Sequence, residues 1–255
     1  MPKGNITNYI DVAQVTLYAF WIFFAGLVYY LHRENKREGY PLESDRSSHI
    51  KVQGFPAIPE PKTYLLPHGG TQTAPRMERD MRPLNAEPLA VWPGAPLIPT
   101  GNPMRDGVGP AAWAERADVP DLTVDGHPRI VPLSAAAGYA IERRDPDPRG
   151  MVVIGADEKT AGTVKDVWVD ISECLIRYLE VSLPNGGTVL LPMNFARINS
   201  WMRQVAVKSI LAAQFADVPV TRAPNQITRR EEDRICGYYG GGTLYATAAR
   251  AESLL

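Results

Sequence analysis

The residues best placed to do chemistry are carboxylates with basic neighbours. Thr163–Glu173 reads TVKDVWVDISE and Ile176–Leu183 reads IRYLEVSL. Both stretches alternate apolar and polar positions and are rich in β-branched residues, so both are expected as strands. Side chains alternate faces along a strand. Glu173 then shares a face with Val167, Val169 and Ile171, and Arg177 shares one with Leu179, Val181 and Leu183. Asp166 and Asp170 fall on the opposite parity, close by. Two readings stand side by side. One is an ordinary solvated corner between two strands. The other is a partly buried acid cluster with Arg177 as its basic partner, in which desolvation raises carboxyl pKa values and the guanidinium lowers them. A set of that second kind titrates near neutral pH and passes protons. Asp125-Gly126-His127 is a second candidate, because a His beside a carboxylate on a loop accepts protons at about pH 6–7. The same triplet also reads as a surface turn.

Other chemistries find no support. Cys174 and Cys236 stand alone, without CxxC or a Cys/His cluster, which argues against a disulfide framework and a structural zinc. The four histidines (His32, His49, His68 and His127) include no pair at helical ligand spacing. There is no G-x-S-x-G, H-E-x-x-H or P-loop, so an anchored hydrolase lacks its nucleophile and base. A formal net charge of -1 excludes an electrostatic nucleic-acid binder.

These side chains must be carried by a 255-residue chain of uneven character. Val12–Leu31 reads VAQVTLYAFWIFFAGLVYYL, with no formal charge. At roughly 1.5 Å per residue it covers about 30 Å, the thickness of a bilayer core, and residues 12–32 are expected as one transmembrane helix. His32, Arg33, Lys36 and Arg37 follow the span, while Lys3 and the amino terminus precede it. The positive-inside rule then places residues 1–11 outside and the bulk of the chain in the cytoplasm.

Residues 33–110 are expected as an extended strap. Tyr40–Pro110 holds 13 of the 23 prolines and shows no sustained period. Its apolar residues, among them Phe55, Ile58, Tyr64, Leu65, Leu66, Trp92, Leu97 and Ile98, suit anchors laid on another protein's surface better than a solvated tether.

Residues 111–255 read as a β-rich module. Met151–Ala156, Thr163–Glu173, Ile176–Leu183, Thr188–Met193 and Arg203–Ile210 are its expected strands, with a hairpin turn at Pro184–Gly187. Strands this short and regular suggest a small barrel or a sandwich. Thr228-x-x-Glu231 is a capping-box pattern, and Glu231, Glu232 and Asp233 complement the dipole of a helix expected to stop at Gly240–Gly242. That glycine run lacks the Lys-Ser/Thr of a phosphate loop and reads as a terminator.

The assembled stretches resemble the H subunit of the purple-bacterial photosynthetic reaction centre. They include FWIFFAGLVYYL followed by REGYPLE, then PKTYLLPHG, PTGNPMRDGVGPAAW, DVWVDISE, RYLEV, LLPM and EEDRICGYYGGGTLYA. The resemblance implies an α+β fold: one transmembrane helix, an extended surface segment, and a cytoplasmic β-barrel of the PRC type with a short C-terminal helix. It implies a non-enzymatic subunit in a bacterial inner membrane. That subunit would bind no pigment and cap the cytoplasmic face of the L and M subunits. It would stabilise the quinone sites and help conduct protons to the secondary quinone. Bacteriochlorophyll, bacteriopheophytin, quinones and a non-haem iron are then carried by partners, with no cofactor or metal on this chain alone. Membrane lipids, light-harvesting antenna polypeptides and a cytochrome subunit are the further partners implied. By resemblance, Glu173 and Asp170 match positions on the proton route, Arg177 a nearby basic partner, and Asp125 with His127 part of the surface site that admits protons. The chain departs from the family pattern at one point. Pro128 and Arg129 follow His127 where well-known members carry a second His. The alternative is a membrane-tethered PRC-type adaptor without pigment-bearing partners, and copurification distinguishes the two.

Overall fold

The computed structural model describes residues 4, 6–7, 10–43, 51–75, 81–92 and 94–251, so most of the expected amino-terminal segment lies outside the described residues. The chain folds as two units, Met1–Arg79 and Asp80–Leu255.

The first unit is built on helix α1 (Val12–Asn35). Asp11 caps it by accepting the Gln14 amide at 2.7 Å. None of its 24 residues is buried within the chain. A helix that is apolar all round and covers nothing of its own needs an apolar medium or partner. It is long and apolar enough to cross a membrane. The basic flank also has a structural task. The buried Lys36 ammonium donates to the carbonyls of Gln53 (2.8 Å) and Pro56 (2.6 Å). Arg37 forks onto Glu34 and donates to the carbonyls of Glu60 and Ala74. These bonds fasten the following strap to the helix end. The strap carries two antiparallel pairs, β1 (Leu42–Glu43) with β2 (Lys51–Val52) and β3 (Lys62–Leu65) with β4 (Thr71–Ala74). No strand here exceeds four residues, too short to show as a period in a Pro-rich sequence. Phe55 and Leu65 are exposed in this chain.

The second unit opens with the pair β5 (Ala86–Pro88) and β6 (Leu97–Pro99), then the single turn α2 (Pro103–Asp106), capped by Asn102. Its body is a seven-stranded sheet. The strands are β7 (Ile130–Pro132), β8 (Val152–Ile154), β9 (Thr160–Asp170), β10 (Leu175–Ser182), β11 (Thr188–Pro192), β12 (Ala196–Asn199) and β13 (Gln204–Val207). They run in the order β11-β10-β9-β8-β13-β12, and β7 pairs with the far end of β9. Only β13 with β8 is parallel. The turn after β10 forms as expected: Gly186 adopts φ +85° and Asn185 accepts the Gly187 amide at 3.0 Å. Strands β7 and β12 are additions to the expected set. Trp168, Leu179, Leu191, Val153, Ile210, Phe215, Ile235 and Tyr239 are fully buried in one hydrophobic core.

That helix, α3 (Arg229–Tyr245), begins with the expected capping box: Thr228 Oγ1 accepts the Glu231 amide at 3.2 Å and Glu231 accepts the Thr228 amide at 2.9 Å. It does not stop at Gly240–Gly242 but passes through them. Close packing explains the glycines. A Cβ on Gly237 would lie 2.7 Å from the Ala111 carbonyl oxygen, and one on Gly242 would lie 2.5 Å from that of Ser209. Each glycine costs a helix interior about 1 kcal/mol, here offset by the approach of two backbone segments.

Candidate functional site

Residues 121–129 form a narrow hairpin. Leu122 bridges Pro128, the Thr123 amide donates to the His127 carbonyl (2.8 Å), and the Arg129 amide donates to the Asp121 carbonyl (2.8 Å). The chain then enters β7, whose Ile130 pairs with Asp170 of β9. This non-local pairing sets Arg129 beside the end of β9. Its guanidinium grips Asp170 with two prongs, Nε to Oδ1 and Nη2 to Oδ2, both 2.9 Å. It also donates to Glu173, and its Nη1 lies 3.4 Å from Asp121.

Asp170 ends β9, and its Oδ1 accepts the amides of Ser172 and Glu173, both at 3.0 Å. It therefore shapes the turn that carries Glu173. The Asp170 side chain is 1% exposed, whereas Glu173 is 50% exposed. Burial opposes the Asp170 charge, but the Arg129 guanidinium and the two amides outweigh it and hold the carboxyl below the usual carboxylate range. The bond to Asp170 in turn raises Arg129 further above its already high value.

Arg177 lines the same cleft from β10, yet its partner is not the Asp170–Glu173 pair. A register shift between Ile176 and Tyr178 alters the alternation at this point. The Arg177 Nη2 lies 3.9 Å from Glu232 of α3. The neighbouring Tyr178 hydroxyl donates to that same Glu232 at 2.8 Å. Burial pushes the Glu232 carboxyl up, while Tyr178 and Arg177 only partly oppose this. The Tyr178 phenol and Cys236 thiol are likewise pushed up by burial and stay protonated.

Together these groups line a polar cleft of about 270 Å³, closed by Asp121, Asp233, Arg116 and Arg229. Asp170, Glu173 and Arg177 thus line one cleft, and the structure differs from the expectation at three points. Glu173 lies in the turn after β9, not on a strand face. Arg129, not Arg177, is the partner of Asp170 and Glu173. Asp170 is a clamped anion rather than a carboxyl raised toward neutrality. Asp166 lies elsewhere, accepting the amides of Ser134 and Val167. Asp125 and His127 sit exposed at the tip of the 121–129 hairpin, which contributes Asp121 and Arg129 to the cleft from its base rather than its tip. Sequence reasoning missed Arg129, Asp121 and Glu232. The departure at Pro128–Arg129 was the one visible hint of Arg129. Among the described residues no three His, Cys, Asp or Glu side chains converge as a metal-ligand set.

Comparison with known families supplies the setting. Residues 4–135, just over half of the chain, match the family described as photosynthetic reaction centre, H-chain N-terminal region. The chain belongs to that family. Residues 141–212 match the PRC-barrel domain. The H-chain match contains α1, the strap and Arg129, whereas the PRC-barrel match contains Asp170, Glu173 and Arg177. Glu232 lies on α3, beyond both. The cleft of this reaction-centre subunit is therefore assembled from all three stretches.

Proposed function

We propose that this chain is the structural, non-enzymatic H subunit that covers the cytoplasmic faces of L and M and conducts protons through its cleft to the secondary quinone. α1 anchors it in a bacterial inner membrane with the amino terminus outside. Reduction of a quinone to the quinol takes up two electrons and two protons, and a shielded quinone receives those protons through titratable groups and water. The observation that carries the reading is Glu173: a half-exposed carboxylate at the rim of a polar cleft, held by Arg129 and by the turn that Asp170 shapes. An arginine does not release its proton at physiological pH, so Arg129 and Asp170 act as fixed charges and Glu173 as the exchanging group. Arg177 tunes the opposite wall. Asp125 and His127 collect protons at the hairpin tip. Pigments, quinones and the non-haem iron are expected on the partner subunits, and antenna polypeptides, a cytochrome subunit and lipids around them.

The test is Glu173→Gln in the assembled complex. Glutamine keeps the shape and loses the proton. The proton-coupled second electron transfer after a pair of flashes should slow by about tenfold, or about 1.4 kcal/mol of barrier, with the first transfer unchanged. A second transfer unaltered at every pH tested removes Glu173 from the route.

A further inference from the structure

Two carboxylates of the cleft differ in the way that decides where a proton rests. Asp170 receives a two-pronged guanidinium and two amides. Glu232 is largely enclosed, 15% exposed, but among the described residues its carboxylate receives one hydrogen bond, from a neutral phenol, and the Arg177 guanidinium stands 3.9 Å away. A guanidinium adds its own positive charge to the bonds it donates and so favours the anion more than a neutral phenol does. A hydroxyl can donate to a carboxylate or accept from a carboxylic acid. Tyr178 therefore bonds Glu232 in both protonation states.

We infer that Glu232 is the proton-holding group of the cleft, exchanging a proton with the rim at Glu173 while Asp170 remains a fixed anion. This rests on the proton-conducting reading above. The step moves a proton only: an O–H bond forms at a Glu232 carboxyl oxygen as one breaks at the donor, and no electron changes place. The groups around Glu232 suit the role. From its own helix come Arg229, Asp233 and Cys236, and from β10 come Arg177 and Tyr178. Arg116 and Asp121 face it from the preceding chain, with the Arg129–Asp170–Glu173 set lining the same cleft. Asp121 opposes the Glu232 charge while Arg177 and Arg116 favour it, and burial is the largest influence, favouring the neutral acid.

The experiment uses the purified reaction-centre complex carrying wild-type chain, Glu232→Gln, Tyr178→Phe or Glu173→Gln. Light-induced infrared difference spectra on quinone reduction read protonation of carboxyl groups, and a pH-indicator dye reads proton uptake. A carboxylic C=O signal should vanish in Glu232→Gln, shift in Tyr178→Phe where its hydrogen bond is lost, and persist in Glu173→Gln. Uptake should fall by a fraction of a proton in Glu232→Gln. A signal untouched by both Glu232→Gln and Tyr178→Phe overturns the inference. If Glu173→Gln nonetheless slows the second electron transfer, the proton-conducting reading stands without Glu232. If no variant alters spectrum, uptake or rate, both fall. Should Glu232→Gln fail to assemble, the shift in Tyr178→Phe decides alone.

Discussion

Arg129 is the residue on which the rim of the cleft depends. Removing its charge leaves Asp170 buried with only two amides, and breaking a buried pair costs about 3–5 kcal/mol. Arg129 is 25% exposed, so solvent screening lowers the expected loss for Arg129→Gln to about 2 kcal/mol. The pH dependence has a definite sign. The folded state holds Asp170 below its ordinary value. That stability is present above the unfolded carboxyl value of about 3.9 and is lost as pH falls through the folded one. In Arg129→Gln the folded value rises toward the unfolded one, so the variant should be less stable at neutral pH and lose less stability on acidification, giving a shallower acid limb. Thermal melts of the complex across the acid range check both effects, and an unchanged acid limb would show that the fork contributes nothing. An Arg129→Lys variant should recover little, because an ammonium cannot make the two-pronged contact. The charges of Asp170, Glu173 and Arg177 stand out within a dozen residues, but alternation misplaced Glu173, which lies in the turn after Asp170 and not on a strand face. Arg129 was not legible, because its contact spans 41 positions and depends on the three-residue strand β7.

At the scale of elements, α3 shows how a local rule can point the wrong way. Three consecutive glycines read as a stop, yet the helix continues because each missing Cβ makes room for a neighbouring backbone. Helix propensity alone would favour Gly237→Ala by about 1 kcal/mol. The Ala111 carbonyl at 2.7 Å from the new methyl reverses the sign, and overpacking typically costs about 1–3 kcal/mol. We expect a net loss of about 1 kcal/mol and a lower melting temperature; a gain in stability would mean that the segment around Ala111 yields freely. The capping box at Thr228 was legible because its partners lie three residues apart. The packing partners of the glycines lie at Pro110–Ala112, far upstream, or on the loop after β13, and nothing in the local sequence announces them. The hairpin β10–β11 was also readable from its turn residues, whereas the short strap pairs were not, since two to four residues cannot display a period.

For the whole molecule, composition was informative where segments face different media. The uncharged run that became α1 buries nothing in its own chain, and the strap leaves large apolar side chains exposed. Both make sense for a subunit of a membrane complex, the setting that the H-chain match supplies. The cleft draws on the 121–129 hairpin, the sheet and α3, so proton conduction would be a property of the assembled unit rather than of any one motif. The most direct measurement is the second-flash electron transfer in complexes carrying Asp170→Asn with Glu173→Gln, with and without a small permeant weak acid as an alternative proton carrier. The account predicts a normal first transfer, a second transfer slowed by about tenfold or more, and recovery when the weak acid is added. A second transfer at the wild-type rate, or a slow one that the acid fails to restore, would contradict it.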